Sequence, residues 1–177
     1  MLTRLHKKNL GSKGVTLVEL LVVIAILGIL GAVALPAITG TLPNYRLRAE
    51  ARELVSNFKK ARLEAVKRNR NVLIEFYPNE NRYLIYVDMN YTNDYEQNED
   101  KSLMNWTLRQ QTEIVDPSFN LFGNSEPITG FDSRGMPLGS NINSNFGTGS
   151  VILRTVNGSR GYQLFLSSAG SINLDDE

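Results

Sequence analysis

Few side chains in this sequence are of a type that does chemistry, and their spacing narrows the choice further. There is no cysteine, and the sole histidine is His6. Disulfides and thiolate metal sites are therefore excluded. If the first residues are removed as a leader, no imidazole remains, which also excludes Ser-His and Cys-His nucleophiles and His-ligated zinc. Carboxylate pairs and Ser-Lys arrangements survive the composition, but no spacing marks one out, and an enzyme is not expected. Two groups of residues stand apart. One is Glu19, the single charge in the apolar run from Val15 to Leu35. The other is Asp88-Met-Asn90-Tyr-Thr92-Asn-Asp94-Tyr-Glu96-Gln-Asn-Glu99, whose oxygen side chains fall at the alternating positions of a calcium loop. Asp88, Asn90, Asp94 and Glu99 are its candidate Ca²⁺ ligands. Thr92 and Asn93 depart from the pattern, the latter standing where a glycine makes the sharp turn, and a strand precedes the loop instead of a helix. A solvated acidic loop between strands is the plain alternative.

The elements that must position these groups begin with the apolar run itself. Its 21 residues, VTLVELLVVIAILGILGAVAL, would form a helix about 31 Å long, close to the ~30 Å hydrocarbon core of a bilayer. A carboxylate inside such a segment costs about 2.5 to 3.5 kcal/mol at the bilayer centre and less near the interface, so Glu19 needs a partner or a use. Residues 1–14 carry +4, residues 36–70 carry +6 and residues 71–177 carry −8, within a net charge of only +1. Segments so unlike in charge have different tasks. The basic leader reads as the n-region of a signal peptide with a cut at Ala32-Val33-Ala34, or as the flank of an uncleaved anchor. The first reading has an apolar run that is too long, and the second leaves Glu19 unexplained. Positive-inside bias puts the leader in the cytoplasm, although Arg46 and Arg48 on the far flank weaken it.

Beyond the run, Pro36 removes a backbone donor and is expected to kink or loosen the helix, and Pro43 is a second break, so that a hinge spans Pro36 to Pro43. From Asn44 to Asn69 the residues Leu47, Ala51, Leu54, Val55, Phe58, Ala61, Ala65 and Val66 recur at steps of three and four, an amphipathic helix with one buried stripe. Its other face carries Arg48, Arg52, Lys59, Lys60, Arg62, Lys67, Arg68 and Arg70. That face reads either as a surface for nucleic acid or anionic lipid, or as a solvated face complementing the acidic head of an adjacent subunit. Val72–Tyr77 and Arg82–Val87 read as a hairpin around Pro78-Asn79-Glu80-Asn81. Short strands are expected at Asn105–Leu108 and Glu113–Val115, with Trp106 a core aromatic. Ile128 leads into a Gly/Pro turn ending at Pro137, and residues 139–150 form a loop rich in Ser, Asn and Gly. Val151–Val156 and Tyr162–Leu166 pair around Asn157-Gly158-Ser159, and Ile172 with Leu174 closes an antiparallel sheet. The fold class is α+β.

Lys13-Gly14-Val15-Thr16-Leu17-Val18-Glu19-Leu20 resembles the class III signal of type IV pilins and of the pseudopilins of type II secretion systems. The resemblance implies that a prepilin peptidase cuts between Gly14 and Val15 on the cytoplasmic side and methylates the new amine, leaving the helix attached. Glycine before the cut lets a protease approach the backbone closely. Glu19 becomes the fifth residue of the mature chain, and its implied partner is the N-terminal amine of a neighbouring subunit. Further on, Phe131-Asp-Ser-Arg134-Gly135, the spacer, the hairpin and Ser168-Ala-Gly170-Ser-Ile172 resemble the C-terminal region of the GspH/FimT family of minor pseudopilins and minor pilins. It implies a pilin-like fold: a cleaved leader (1–14), a transmembrane assembly helix (15–35), an amphipathic basic helix (36–70) and an antiparallel head (71–177). The function implied is that of a minor subunit in a type II secretion pseudopilus or type IV pilus. Its partners would be prepilin peptidase, other pilins or pseudopilins and an inner-membrane assembly platform, with the head in the periplasm. Small residues in the run, Gly28, Gly31, Ala32 and Ala34, suit close helix packing. The alternative is a DNA receptor, as some FimT-like proteins are. Only Arg154 and Arg160 are candidate DNA contacts here, and the −8 head repels phosphate.

Overall fold

The computed structural model describes residues 14–91, 95–119, 127–138, 148–156, 158 and 160–177, with backbone alone for residues 33–41. The leader up to Lys13, and Asp94 of the acidic loop, lie outside the described residues. One long helix, α1, runs Leu17–Arg68. Its start has a local cause. Thr16 stands at the N-cap, its Oγ1 accepting the Glu19 N–H at 3.2 Å, and Thr-x-x-Glu is the capping-box sequence. Its end has one too. Asn69 adopts the left-handed conformation at φ 52°, Arg70 N–H bonds to Ala65 O and Asn69 N–H to Val66 O, the paired bonds of a Schellman motif. Helical structure is continuous through Pro36 and Pro43. Each proline removes a single donor from a ladder that is otherwise intact.

The chain divides into two compact units, residues 1–40 and 41–177. In the first, every described side chain from Val15 to Leu30 is exposed. In the second, the remainder of α1 shares one core with two four-stranded antiparallel sheets. The first sheet has the order β3-β2-β1-β5, built from β1 (Val72–Tyr77), β2 (Arg82–Val87), β3 (Lys101–Thr107) and β5 (Ile128–Phe131). The second has the order β4-β6-β7-β8, built from β4 (Thr112–Val115), β6 (Gly149–Thr155), β7 (Gly161–Leu166) and β8 (Ile172–Asp176). The hairpin β1/β2 has the expected bounds and pairs Val72 with Val87 and Tyr77 with Arg82. β3 begins four residues earlier than expected. It is an edge strand with mostly exposed or half-exposed positions, and polar Lys101 and Ser102 mask its start.

The helix stripe buries Leu47, Ala51, Leu54, Phe58, Ala61 and Ala65, while Val55 is half-buried and Val66 exposed. β1 turns Val72, Ile74 and Phe76 toward this core, as period-two alternation requires, and Leu73 toward a second cluster with Leu84, Tyr86 and Ile128. Asn81 joins the two sheets. Left-handed at φ 49°, it accepts the Leu108 N–H on its carbonyl and the Ile114 N–H on its side-chain oxygen. β4 is thereby tied to the turn of the β1/β2 hairpin.

Candidate functional site

At the N-terminal end, Gly14 and Val15 precede the first helical turn and Glu19 lies in it, exposed. A carboxylate there faces the positive end of the helix dipole, a local stabilisation. A side chain added at Gly14, Gly28 or Gly31 would meet no atom within 4 Å outside its own helix. Packing within the described chain thus gives no reason for glycine at these three positions, although at Gly28 and Gly31, inside the helix, it costs about 1 kcal/mol relative to alanine. Among the described residues no helix is long and apolar enough to cross a membrane; the described side chains of the apolar run end at Ala32.

Side chains of the acidic loop, as far as it is described, bond within the loop itself. Asp88 is fully buried and accepts the Tyr91 N–H at 2.6 Å, and the Asn90 amide donates to Glu99 at 2.9 Å. A second buried acid lies just outside the calcium pattern: Asp100 accepts Met89 N–H at 2.9 Å and Glu96 N–H at 2.8 Å on its two oxygens. Among the described residues no three acids gather as a metal would require.

The two C-terminal arginines differ. Arg154 is engaged by Glu177 through two contacts. Arg160 instead lines a cleft of about 400 Å³ with Arg48 and Arg52 of α1 and Tyr162, Leu174 and Asp176 of β7 and β8. Two arginines of α1 and one from the segment entering β7 thus line the same cleft, and the sequence had separated them into a helix face and a tail.

Two turns converge on Arg62. Its Nη1 donates to Gly170 O at 3.2 Å. Gly135 and Gly170 both have φ near +78°, and a Cβ on Gly135 would come within 3.0 Å of Val66 and 3.2 Å of Arg62. The first turn is closed by Asp132, whose Oδ1 accepts the N–H groups of Arg134 and Met136 and whose Oδ2 accepts the Arg134 guanidinium. Burial works to raise the Asp132 pKa, but the Met136 N–H, the Arg134 side chain and the Arg134 N–H outweigh it and leave the carboxyl below its usual range. A further helix anchor went unread in the sequence. Glu50, buried, accepts the Trp106 indole N–H at 3.1 Å and lies 3.1 Å from the Arg109 guanidinium. Asn57, also buried, donates to the Tyr83 hydroxyl at 2.8 Å, and burial pushes that phenol far above its ordinary pKa. Both polar residues sit three positions after a buried leucine, Leu47 and Leu54, and so on the inward stripe. Trp106 is half-buried against the core, with its polar edge satisfied as a buried indole requires.

The profile described as type II transport protein GspH matches residues 50–170, most of the chain, and that of the prokaryotic N-terminal methylation motif matches residues 10–35. This chain belongs to the GspH family. Within known proteins, the GspH-family chain is 35% identical over 128 residues to the pilin-like protein PilA1 of Thermus thermophilus, covering 71% of this chain and 79% of that one. Its fold is shared with the minor pseudopilin EpsH from the type 2 secretion system of Vibrio cholerae, at a TM-score of 0.54 and 8% identity over 74% of this chain and 97% of EpsH. The type IV minor pilin FimU of Pseudomonas aeruginosa matches with a TM-score of 0.52 and 18% identity over 76% of this chain and 91% of FimU. The α+β pilin-like fold of this GspH-family chain, one N-terminal helix with antiparallel sheets, is therefore that of minor pseudopilins and minor pilins alike.

Proposed function

We propose that this chain is a minor pilin-like subunit, assembled through its N-terminal helix into a type II secretion pseudopilus or a type IV pilus. The observation that carries the reading is the N-terminal methylation motif over residues 10–35, set on a helix whose apolar side chains are exposed and whose Gly28 and Gly31 have no packing neighbour of their own. Surface of that kind is matched by lipid before assembly and by neighbouring helices after it, where small residues permit close approach. The similarity to both EpsH and FimU supports either filament.

In this reading a prepilin peptidase cuts between Gly14 and Val15 and methylates the Val15 amine. The mature chain stays in the bacterial inner membrane through residues 15–35, with its head in the periplasm, until an inner-membrane assembly platform transfers it into a filament of other pilins or pseudopilins. Glu19 meets the Val15 amine of the next subunit and fixes axial register, and residues between Pro36 and Pro43 supply the hinge. The role is structural rather than catalytic. The DNA-receptor alternative gains nothing from Arg154, whose guanidinium Glu177 already engages.

Mass spectrometry of the mature N-terminus tests this. A chain beginning with N-methylated Val15 is the expected result; a chain beginning at Met1 or Leu35 overturns it. Glu19→Ala is expected to insert normally and to lower filament incorporation, scored by crosslinking to neighbouring subunits. Unchanged incorporation would remove the register role.

A further inference from the structure

The seven ion pairs among the described residues use Lys60, Lys67, Arg68, Arg82, Arg109, Arg134 and Arg154. None uses Arg48, Arg52 or Arg160, although these three line a single cleft and the head around them is strongly acidic. Arg48 and Arg52 are an i, i+4 pair of like charge, an arrangement that weakens a helix by about 0.2–0.5 kcal/mol, and Arg160 adds a third cation from the segment entering β7. Asp176 lines the cleft without forming an ion pair with any of them. Gathered cations of this kind are relieved by an anion. Guanidinium forks match the geometry of phosphate oxygens, and three of them against one carboxylate leave a net +2 suited to a phosphate dianion. The cleft, about 400 Å³, has room for more than the oxyanion. Leu174 and Tyr162 complete the lining, and Asp176 is the one acidic residue in it.

We propose that the cleft between α1 and β7/β8 binds a phosphate ester, its phosphate held by Arg48, Arg52 and Arg160 and a hydroxyl or amine of its substituent held by Asp176. The ligand class is a phosphoglycerol or phosphoethanolamine group, free or as a lipid headgroup. The site is independent of the N-terminal processing and of the filament in which the chain serves.

The test uses the full chain in maltoside micelles, titrated calorimetrically with inorganic phosphate and with phosphoethanolamine at constant ionic strength. Arg52→Gln and Arg160→Gln are expected to weaken both by about tenfold, while Arg46→Gln, outside the cleft, leaves them unchanged. Asp176→Asn is expected to tighten inorganic phosphate, by removing a repelling charge, and to weaken phosphoethanolamine. Phosphatidylglycerol doped into the micelles displaces phosphate if the source is a lipid and leaves it bound if the source is soluble; either result supports the cleft. No phosphate heat, or an equal loss with Arg46→Gln, overturns the site. Phosphoethanolamine binding insensitive to Asp176→Asn overturns the assignment of Asp176. Unchanged thermal unfolding of the exposed arginine variants shows that loss of binding is not loss of fold.

Discussion

Arg62 shows how one side chain determines what the backbone around it must be. Its guanidinium occupies the space next to Gly135 and Gly170, and both turns take the left-handed conformation there, so a Cβ at Gly135 faces a backbone penalty and a crowded wall together. Gly135→Ala is expected to destabilise the head by about 1–3 kcal/mol, read as a lower midpoint in urea unfolding. Gly158, equally left-handed but with open space around it, is expected to lose only the backbone part of that cost. Asp132 in the same turn gives a pH signature. Its folded pKa is depressed, so its contribution is complete above the unfolded value of about 3.9 and is lost as pH falls through the lower folded value. Glu64, lowered chiefly by its hydrogen bond with Arg68, acts in the same direction near the surface. Unfolding temperature should therefore fall below about pH 4, and Asp132→Asn should lower it at neutral pH while flattening that acid limb.

At the scale of elements, the helix stripe is the part that holds the two sheets in one core. Phe58 meets Phe76, Phe119 and Phe131 with ring centroids 6.3, 6.1 and 6.4 Å apart, the last edge-on. Phe58→Ala is expected to cost about 3–5 kcal/mol, whereas Leu63→Ala on the exposed side of the same helix should change unfolding little. This stripe was legible in the sequence because period 3.6 over six turns leaves few alternatives, and so were β1 and β2, bounded by a Pro-Asn turn. The early part of β3 was not legible, because an edge strand has no second neighbour to demand apolar residues. Nor was the division into two sheets. β1 pairs with β5 across some fifty residues, and no local pattern states a pairing so distant. The arginine cleft was hidden for the same reason, its members lying on α1 and beside β7, while Glu50 and Asn57 were passed over because a polar residue on a helix is ordinarily outside.

For the whole molecule, the question is what residues 14–40 contribute to the stability of the rest. Every residue of the main core lies between Leu47 and Leu166, and the described side chains before Ala32 are exposed or, at Gly31, half-exposed. Burial is what stabilises a fold, at about 25 cal/mol per Å² of apolar surface, so the exposed side chains of residues 15–30 contribute almost nothing to the folded state of their own chain. It does contribute to association. The exposed run from Val15 to Leu30 is a continuous apolar surface far larger than soluble monomers leave open. A chain beginning at Thr41 is therefore expected to unfold in one cooperative transition with a midpoint within a few degrees of the detergent-solubilised full chain, and to remain monomeric in detergent-free buffer by sedimentation. The full chain under the same buffer is expected to self-associate. A large loss of stability in the shorter chain would mean that residues 14–40 support the core after all, and a monomeric full chain would mean that its apolar surface is covered by something other than neighbours or lipid.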